Sequence, residues 1–196
     1  LDLVITGSGT ATLYLGDGTG GFTDANAGLT GVSFGSSSLG DVNGDGALDL
    51  VITGEDANDD RTATLYLGDG TGGFTDAEAG LTGVGRFSSS SSLGDVNGDD
   101  TLDLVITGSG GNGLTTTVYI NDGSGGFTDA EAGLTGVDFG SSSLGDVDGD
   151  GALDLVIVGE DANDAPTATV YIGDGSGGFT DANAGLTVLQ GGSSSL

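Results

Sequence analysis

Cysteine, histidine, lysine, methionine and tryptophan are all absent from this 196-residue chain, and proline occurs once, at Pro166. Without cysteine no disulfide can hold the fold. Without histidine or cysteine, zinc and copper lose their usual ligands. Catalysis also loses its common bases, nucleophiles and Schiff-base formers, which is the expectation for a chain that is not an enzyme. The basic residues are Arg61 and Arg86, set against 30 acidic ones, so the formal net charge is −28. That imbalance argues against nucleic acid and anionic membranes, both of which attract basic patches. No apolar run approaches the roughly 18 residues of a membrane-spanning helix, so membrane insertion is not expected. No stretch reads as a signal peptide, and a start at Leu1 is expected of a processed product, a fragment or an incomplete reading.

Glycine, by contrast, is abundant at 43 residues, and 35% of the chain is hydrophobic. The apolar residues come in short, regularly spaced β-branched runs such as Leu3-Val4-Ile5. A disordered chain has no need of that spacing, so the glycines read as turns between many short strands. The phrase Leu-Asp-Leu-Val-Ile begins at Leu1, Leu48, Leu102 and Leu153, at intervals of 47, 54 and 51 residues. Each copy continues into a Thr-Ala-Thr-Leu-Tyr-Leu segment or a close variant, an Asp-Gly-Thr/Ser-Gly-Gly-Phe-Thr-Asp hairpin and a serine-rich stretch. The chain is thus expected to be one repeat domain over 1–196, with units near 1–47, 48–101, 102–152 and 153–196.

One unit holds four strand candidates: Ser36 to Val42, Leu48 to Thr53, Thr62 to Leu67, and a short strand starting at Gly73. Helical periodicity is absent, so the fold class is all-β, an array of four-stranded antiparallel blades like those of a propeller. The ends are out of phase with this unit. The tail Ser193-Ser194-Ser195-Leu196 matches Ser36-Ser37-Ser38-Leu39, whereas Leu1 matches Leu48. The first blade therefore expects its missing strand from the C-terminal segment, either of the same chain in a closed ring or of a neighbouring chain.

Three acidic loops sit at one point of the repeat. They place Asp41, Asn43, Asp45, Ala47 and Asp49 at positions 1, 3, 5, 7 and 9, then Asp95, Asn97, Asp99, Thr101 and Asp103, then Asp146, Asp148, Asp150, Ala152 and Asp154. Calcium takes six to eight oxygen ligands in irregular geometry. A tight loop can turn side chains 1, 3 and 5 inward, offer the carbonyl of position 7, and close with the carboxylate of position 9. An EF-hand would need glutamate at position 12, where Ile52, Ile106 and Ile157 stand. The second loop departs from the others in carrying Asp100 in place of the position-6 glycine, which strains the turn or adds a ligand.

These loops, with the Leu-Tyr-Leu-Gly-Asp-Gly-Thr-Gly-Gly-Phe-Thr-Asp hairpins, make the chain resemble FG-GAP/VCBS-type repeats, the blades of integrin α-chain propellers and of many secreted bacterial proteins. The resemblance implies a β-propeller with calcium in the loop between the first and second strands, held at positions 1, 3, 5, 7 and 9. Four units are fewer than the seven of the integrin ring, and glycine and serine replace bulkier first-strand residues.

Other repeated residues have plainer readings. Asp17, Asp69, Asp122 and Asp174 suit turn geometry; Tyr14, Tyr66, Tyr119 and Tyr171 suit packing between blades, with a sugar platform as the alternative. The acidic segments Glu55–Asp60 and Glu160–Asp164, confined to alternate repeats, read as solvated loops. The expected function is a calcium-stabilised, non-catalytic extracellular or cell-surface module with a structural or adhesive role. Its expected partner is another copy, in a homo-oligomer or a head-to-tail filament. The alternative is a lectin-like propeller binding a glycan or an extracellular protein.

Overall fold

The computed structural model describes residues 2–188 and 192–196. The first blade is a three-stranded antiparallel sheet of β1 (Leu3–Gly7), β2 (Thr10–Gly16) and β3 (Phe22–Asp24). The second blade has four strands, β4 (Ser33–Gly40), β5 (Asp49–Glu55), β6 (Arg61–Gly68) and β7 (Phe74–Asp76). The third repeats this with β8 (Gly85–Gly94), β9 (Asp103–Gly110), β10 (Gly113–Asn121) and β11 (Phe127–Asp129). The fourth comprises β12 (Asp138–Gly145), β13 (Asp154–Glu160), β14 (Pro166–Gly173) and β15 (Phe179–Asp181). Every pairing is antiparallel, so the all-β, four-blade reading holds.

The strand bounds shift by one or two residues from the sequence-based expectation in β5, β6 and β7, and further in β4. The inner strand β4 starts at Ser33 rather than Ser36 and stops at Gly40, so Val42 lies in the acidic loop. It stops there because Asp41 draws the following amides onto its own side chain. At its other end a register shift between Ser33 and Ser36 places Phe34 in the left-handed region, at φ 54°. Glycine and serine carry no periodic apolar signal, which is why these ends were not legible.

The core lies between blades rather than within them. Along β5, Leu50 and Ile52 point one way and join Val32 and Tyr66, packing against Val4, Ala11 and Leu29 from the first blade and its connection. The alternate residue Val51 points the other way, with Val42 and Leu65, onto Leu104, Ile106 and Tyr119 of the third blade. Val96, Val105 and Val118 meet Leu155, Ile157 and Tyr171 in the same manner at the next junction. Period-two alternation in a strand buried on both faces thus supplies both interfaces of a blade.

Serines fasten the inner strands to one another. The Ser91 hydroxyl lies 3.2 Å from that of Ser36 and 2.8 Å from that of Ser38. Ser142 sits likewise between Ser90 and Ser92, at 3.2 and 2.9 Å. Such small residues let the strands approach closely: a Cβ on Gly40 would stand 2.7 Å from Leu102 and 2.9 Å from Leu93. The tail continues the series, with Ser194 bonded to Ser141 and Ser143 at 3.0 and 2.9 Å. It seats on the fourth blade as an inner strand would, yet among the described residues it forms no ladder with β1.

The tyrosines pack, as the plainer reading expects. Tyr66, Tyr119 and Tyr171 are buried, and their hydroxyls accept from the amides of Thr30, Thr82 and Thr135. Each tyrosine thereby latches the connection that leads into its own blade.

Candidate cation loops

Asp41 organises the first acidic loop. Its Oδ1 accepts from the amides of Gly44 at 2.8 Å and Asp45 at 3.1 Å, and its Oδ2 from Gly46 at 2.9 Å. Asp95 and Asp146 repeat all three bonds in their loops. This curl requires left-handed backbone at position 6, where Gly46 and Gly151 have φ of 87° and 96°. Asp100 occupies the same region at φ 68°, so the strain expected in the second loop is present. Position 4 is also left-handed, at Gly44, Gly98 and Gly149. Its recurrence as glycine in all three loops was the available signal for that turn.

Position 3 accepts from the amide of position 5, with Asn43, Asn97 and Asp148 at 3.0, 3.0 and 3.1 Å. Position 5 accepts from the amide of position 7, with Asp45, Asp99 and Asp150 each 2.8 Å from Ala47, Thr101 and Ala152. The side chain of Thr101 is the chief cause that holds the Asp99 carboxyl below its ordinary range, helped by Asn97.

Position 9 is different in kind. Asp49, Asp103 and Asp154 are fully buried at the start of each second strand. One oxygen of Asp49 accepts from Val42 in the loop and the other from Gly68 at the end of β6, both at 2.9 Å. Asp103 accepts from Val96 and Asn121, and Asp154 from Val147 and Gly173, in the same way. Burial pushes the Asp103 carboxyl up, with a smaller contribution from the charges of Asp99 and Asp95. These aspartates clamp the loop to the third strand of the blade, a role the motif spacing did not reveal. Asp2 makes the corresponding bond to Gly16 in the first blade.

The loops also bind the next blade. The carbonyl of Val42 accepts from the Asn121 side chain at 2.7 Å, and that of Val96 from the amide of Gly177 at 3.2 Å. Among the described residues, Asp146, Asp148 and Asp154 bring carboxylate oxygens within 4.8 Å of one another, a spacing suited to one cation. Asp150 lies outside that triad, and Asn43 and Asn97 stand where Asp148 does in the other loops. An all-oxygen donor set of this kind matches a hard cation rather than zinc or copper.

The remaining acidic repeats are turns. Asp17 holds its own hairpin by accepting from Thr19 and Gly21, and Asp69, Asp122 and Asp174 do the same. Asp56 and Asp161 close the longer exposed hairpins of the second and fourth blades through the same side-chain-to-amide bonds. At the opposite end of the inner strands, Phe87 and Phe139 stack with centroids 5.1 Å apart and remain about half exposed. They border a cavity of about 370 Å³ that Asp138, Glu160, Asp161 and Asp164 also line.

Comparison with known proteins bears on the fold and the family. A fucose lectin from Kordia zhangzhouensis, solved in complex with methyl-fucoside, is similar in structure with a TM-score of 0.50 at 12% identity. The likeness covers 76% of this chain and 97% of that one, and at such identity it bears on the fold. Comparison with curated protein sequences gives no match. The model of the FG-GAP-like repeat matches three times, over residues 1–52, 41–106 and 95–157. With its blades, loops and hairpins in the order those matches run, the chain belongs to the FG-GAP-like repeat family.

Proposed function

We propose that this chain is a calcium-stabilised, non-catalytic module that works outside cells in a structural or adhesive role, as an array joined to copies of itself. The observation that carries the reading is the recurrence of one loop geometry in three blades. In each loop the side chains of positions 1, 3 and 5 curl onto backbone amides beside a buried aspartate at position 9, and in the third loop Asp146, Asp148 and Asp154 bring carboxylate oxygens within 4.8 Å of one another. Calcium is the ion that such oxygen-rich, irregular loops favour, and position 7 would add its carbonyl. Extracellular modules bind calcium at about 10⁻⁴–10⁻³ M, concentrations met outside cells. The lack of histidine, cysteine and lysine supports a role without catalysis.

Calorimetric titration of metal-stripped protein with calcium tests this. About three ions should bind per chain, one for each loop in the sequence. Asp148→Asn should weaken one of the three about tenfold, since ligand charge sets affinity in such sites. No heat of binding would overturn the calcium reading.

A second reading has its own support. The exposed Phe87–Phe139 stack beside carboxylates offers a sugar an apolar face and hydroxyl acceptors. The structurally similar protein described above is a fucose lectin. On a glycan array, wild-type hits that disappear in Phe87→Ser/Phe139→Ser would support it; an array without hits would set it aside.

A further inference from the structure

The first and fourth blades of this chain expose complementary surfaces. On the leading face of the first blade, Leu3 is 42% and Ile5 51% exposed, whereas their equivalents Leu50, Ile52, Leu104, Ile106, Leu155 and Ile157 are at most 2% exposed. On the trailing face of the fourth blade, Val147 is 43% exposed, although the equivalent Val42 and Val96 are buried. Val156 and Val170 on the same face are also only partly covered, while Val51, Val105, Leu65 and Val118 are fully buried. Each exposed set is the type of surface that meets the other at every internal junction.

The inner strands show the same complementarity. Ser91, Ser142 and Ser194 each sit between two serines of the preceding blade. Among the described residues Ser37, the remaining equivalent, makes no such contact, and the first blade has no inner strand to supply one. A cavity of about 220 Å³ opens there, lined by Leu39 and Leu48. The equivalent Leu93 and Leu102 are covered by Gly40 of an inner strand. Among the described residues the tail, seated on the fourth blade, pairs with no sheet.

We infer that residues 192–196 of one copy pair with β1 of a second copy, completing its first blade and joining the trailing face of one molecule to the leading face of the next. The register follows from the pairing of Ser36 with Thr53 and of Leu39 with Leu50. It sets Ser193 opposite Thr6, Ser194 opposite Ile5, Ser195 opposite Val4 and Leu196 opposite Leu3. Ser193 and Ser195 then flank Ser37 of the accepting copy, restoring the missing clasp. The contact is heterologous, and each joined copy presents the same two ends again, so it propagates. A second copy is the occupant because, among the described residues, the chain's own tail is seated on the fourth blade and leaves the outer edge of its own β1, the edge not paired with β2, without a strand.

This inference rests on the structural role proposed above. Its readout is a covalent bond rather than a cation, so its failure and that of the calcium reading are separately visible. The chain has no cysteine, which makes engineered thiols unambiguous. Directly opposed residues of an antiparallel pair lie within disulfide reach. Under mild oxidation, Thr6→Cys mixed with Ser193→Cys should give a mixed dimer, and the double variant a ladder of linked multimers. Asp17→Cys mixed with Ser193→Cys should stay monomeric. A double variant that closes on itself as a cross-linked monomer, a failure to link at all, or equal linkage through Asp17→Cys would each overturn the inference.

Discussion

Removing calcium from the purified chain is expected to lower its melting temperature by roughly 15–30 °C. Ligand present at a hundredfold excess over its dissociation constant stabilises the folded state by about 2.7 kcal/mol per site. Three loops would together contribute about 8 kcal/mol, and in a domain of this size about 1 kcal/mol moves the midpoint by 2–4 °C. The loops are already curled by their own amides, with Asp41, Asp95 and Asp146 each accepting three backbone N–H bonds. A cation therefore adds charge neutralisation to a formed cradle rather than building the cradle. With a net charge of −28, general screening is the rival explanation. Scanning calorimetry in chelator, then with sodium chloride at matched ionic strength, separates the two. If sodium alone restores the midpoint, the acidic character is an adaptation to saline surroundings and the loops are turns.

Asp103→Ala should cost about 2–6 kcal/mol. The carboxylate accepts from Val96 and Asn121, both at 2.9 Å, at a fully buried position. Truncation leaves two buried amides without acceptors, at about 1–3 kcal/mol each. Asp103→Asn keeps one acceptor and should lose about half as much. Urea titration at neutral pH reads both. At least half of the loss should persist in chelator, because the clamp joins backbone to backbone without the ion; a loss seen only with calcium would make Asp103 purely a ligand.

Two aspartates of this loop, Asp103 and Asp99, respond to acid with opposite signs. Asp103 is raised by burial, so the folded state holds its proton more tightly than the unfolded chain does, and the penalty of burying its charge is relieved as pH falls through that raised value toward the ordinary carboxylate range. Asp99 is lowered, chiefly by Thr101, so its stabilisation is present above the unfolded value near 4 and is lost on further acidification.

The repeat, the strand count and the hairpins could be read from the sequence because Leu-Asp-Leu-Val-Ile and Asp-Gly-Thr-Gly-Gly have strong local signatures. The 1-3-5-7-9 spacing likewise led to loops whose first, third and fifth side chains do curl onto the backbone. What could not be read depends on neighbours. The double role of Asp49, Asp103 and Asp154 needs the amide at the end of the third strand, some 18–19 residues away in sequence. The sorting of Leu50 from Val51 onto opposite neighbours is invisible in a run that is apolar throughout. The Phe87–Phe139 stack joins two inner strands whose glycine and serine content hides their bounds. Asn121 stands where Gly68 and Gly173 do, and only the assembled blades explain it as a bridge to Val42.

A core placed between blades rather than inside them makes the molecule behave as a one-dimensional chain of coupled units. An isolated blade would have two apolar faces and nothing to bury them against, so nearest-neighbour coupling, not the intrinsic stability of a blade, sets cooperativity. Melting then starts at the termini and travels inward, and each added neighbour protects every blade behind it.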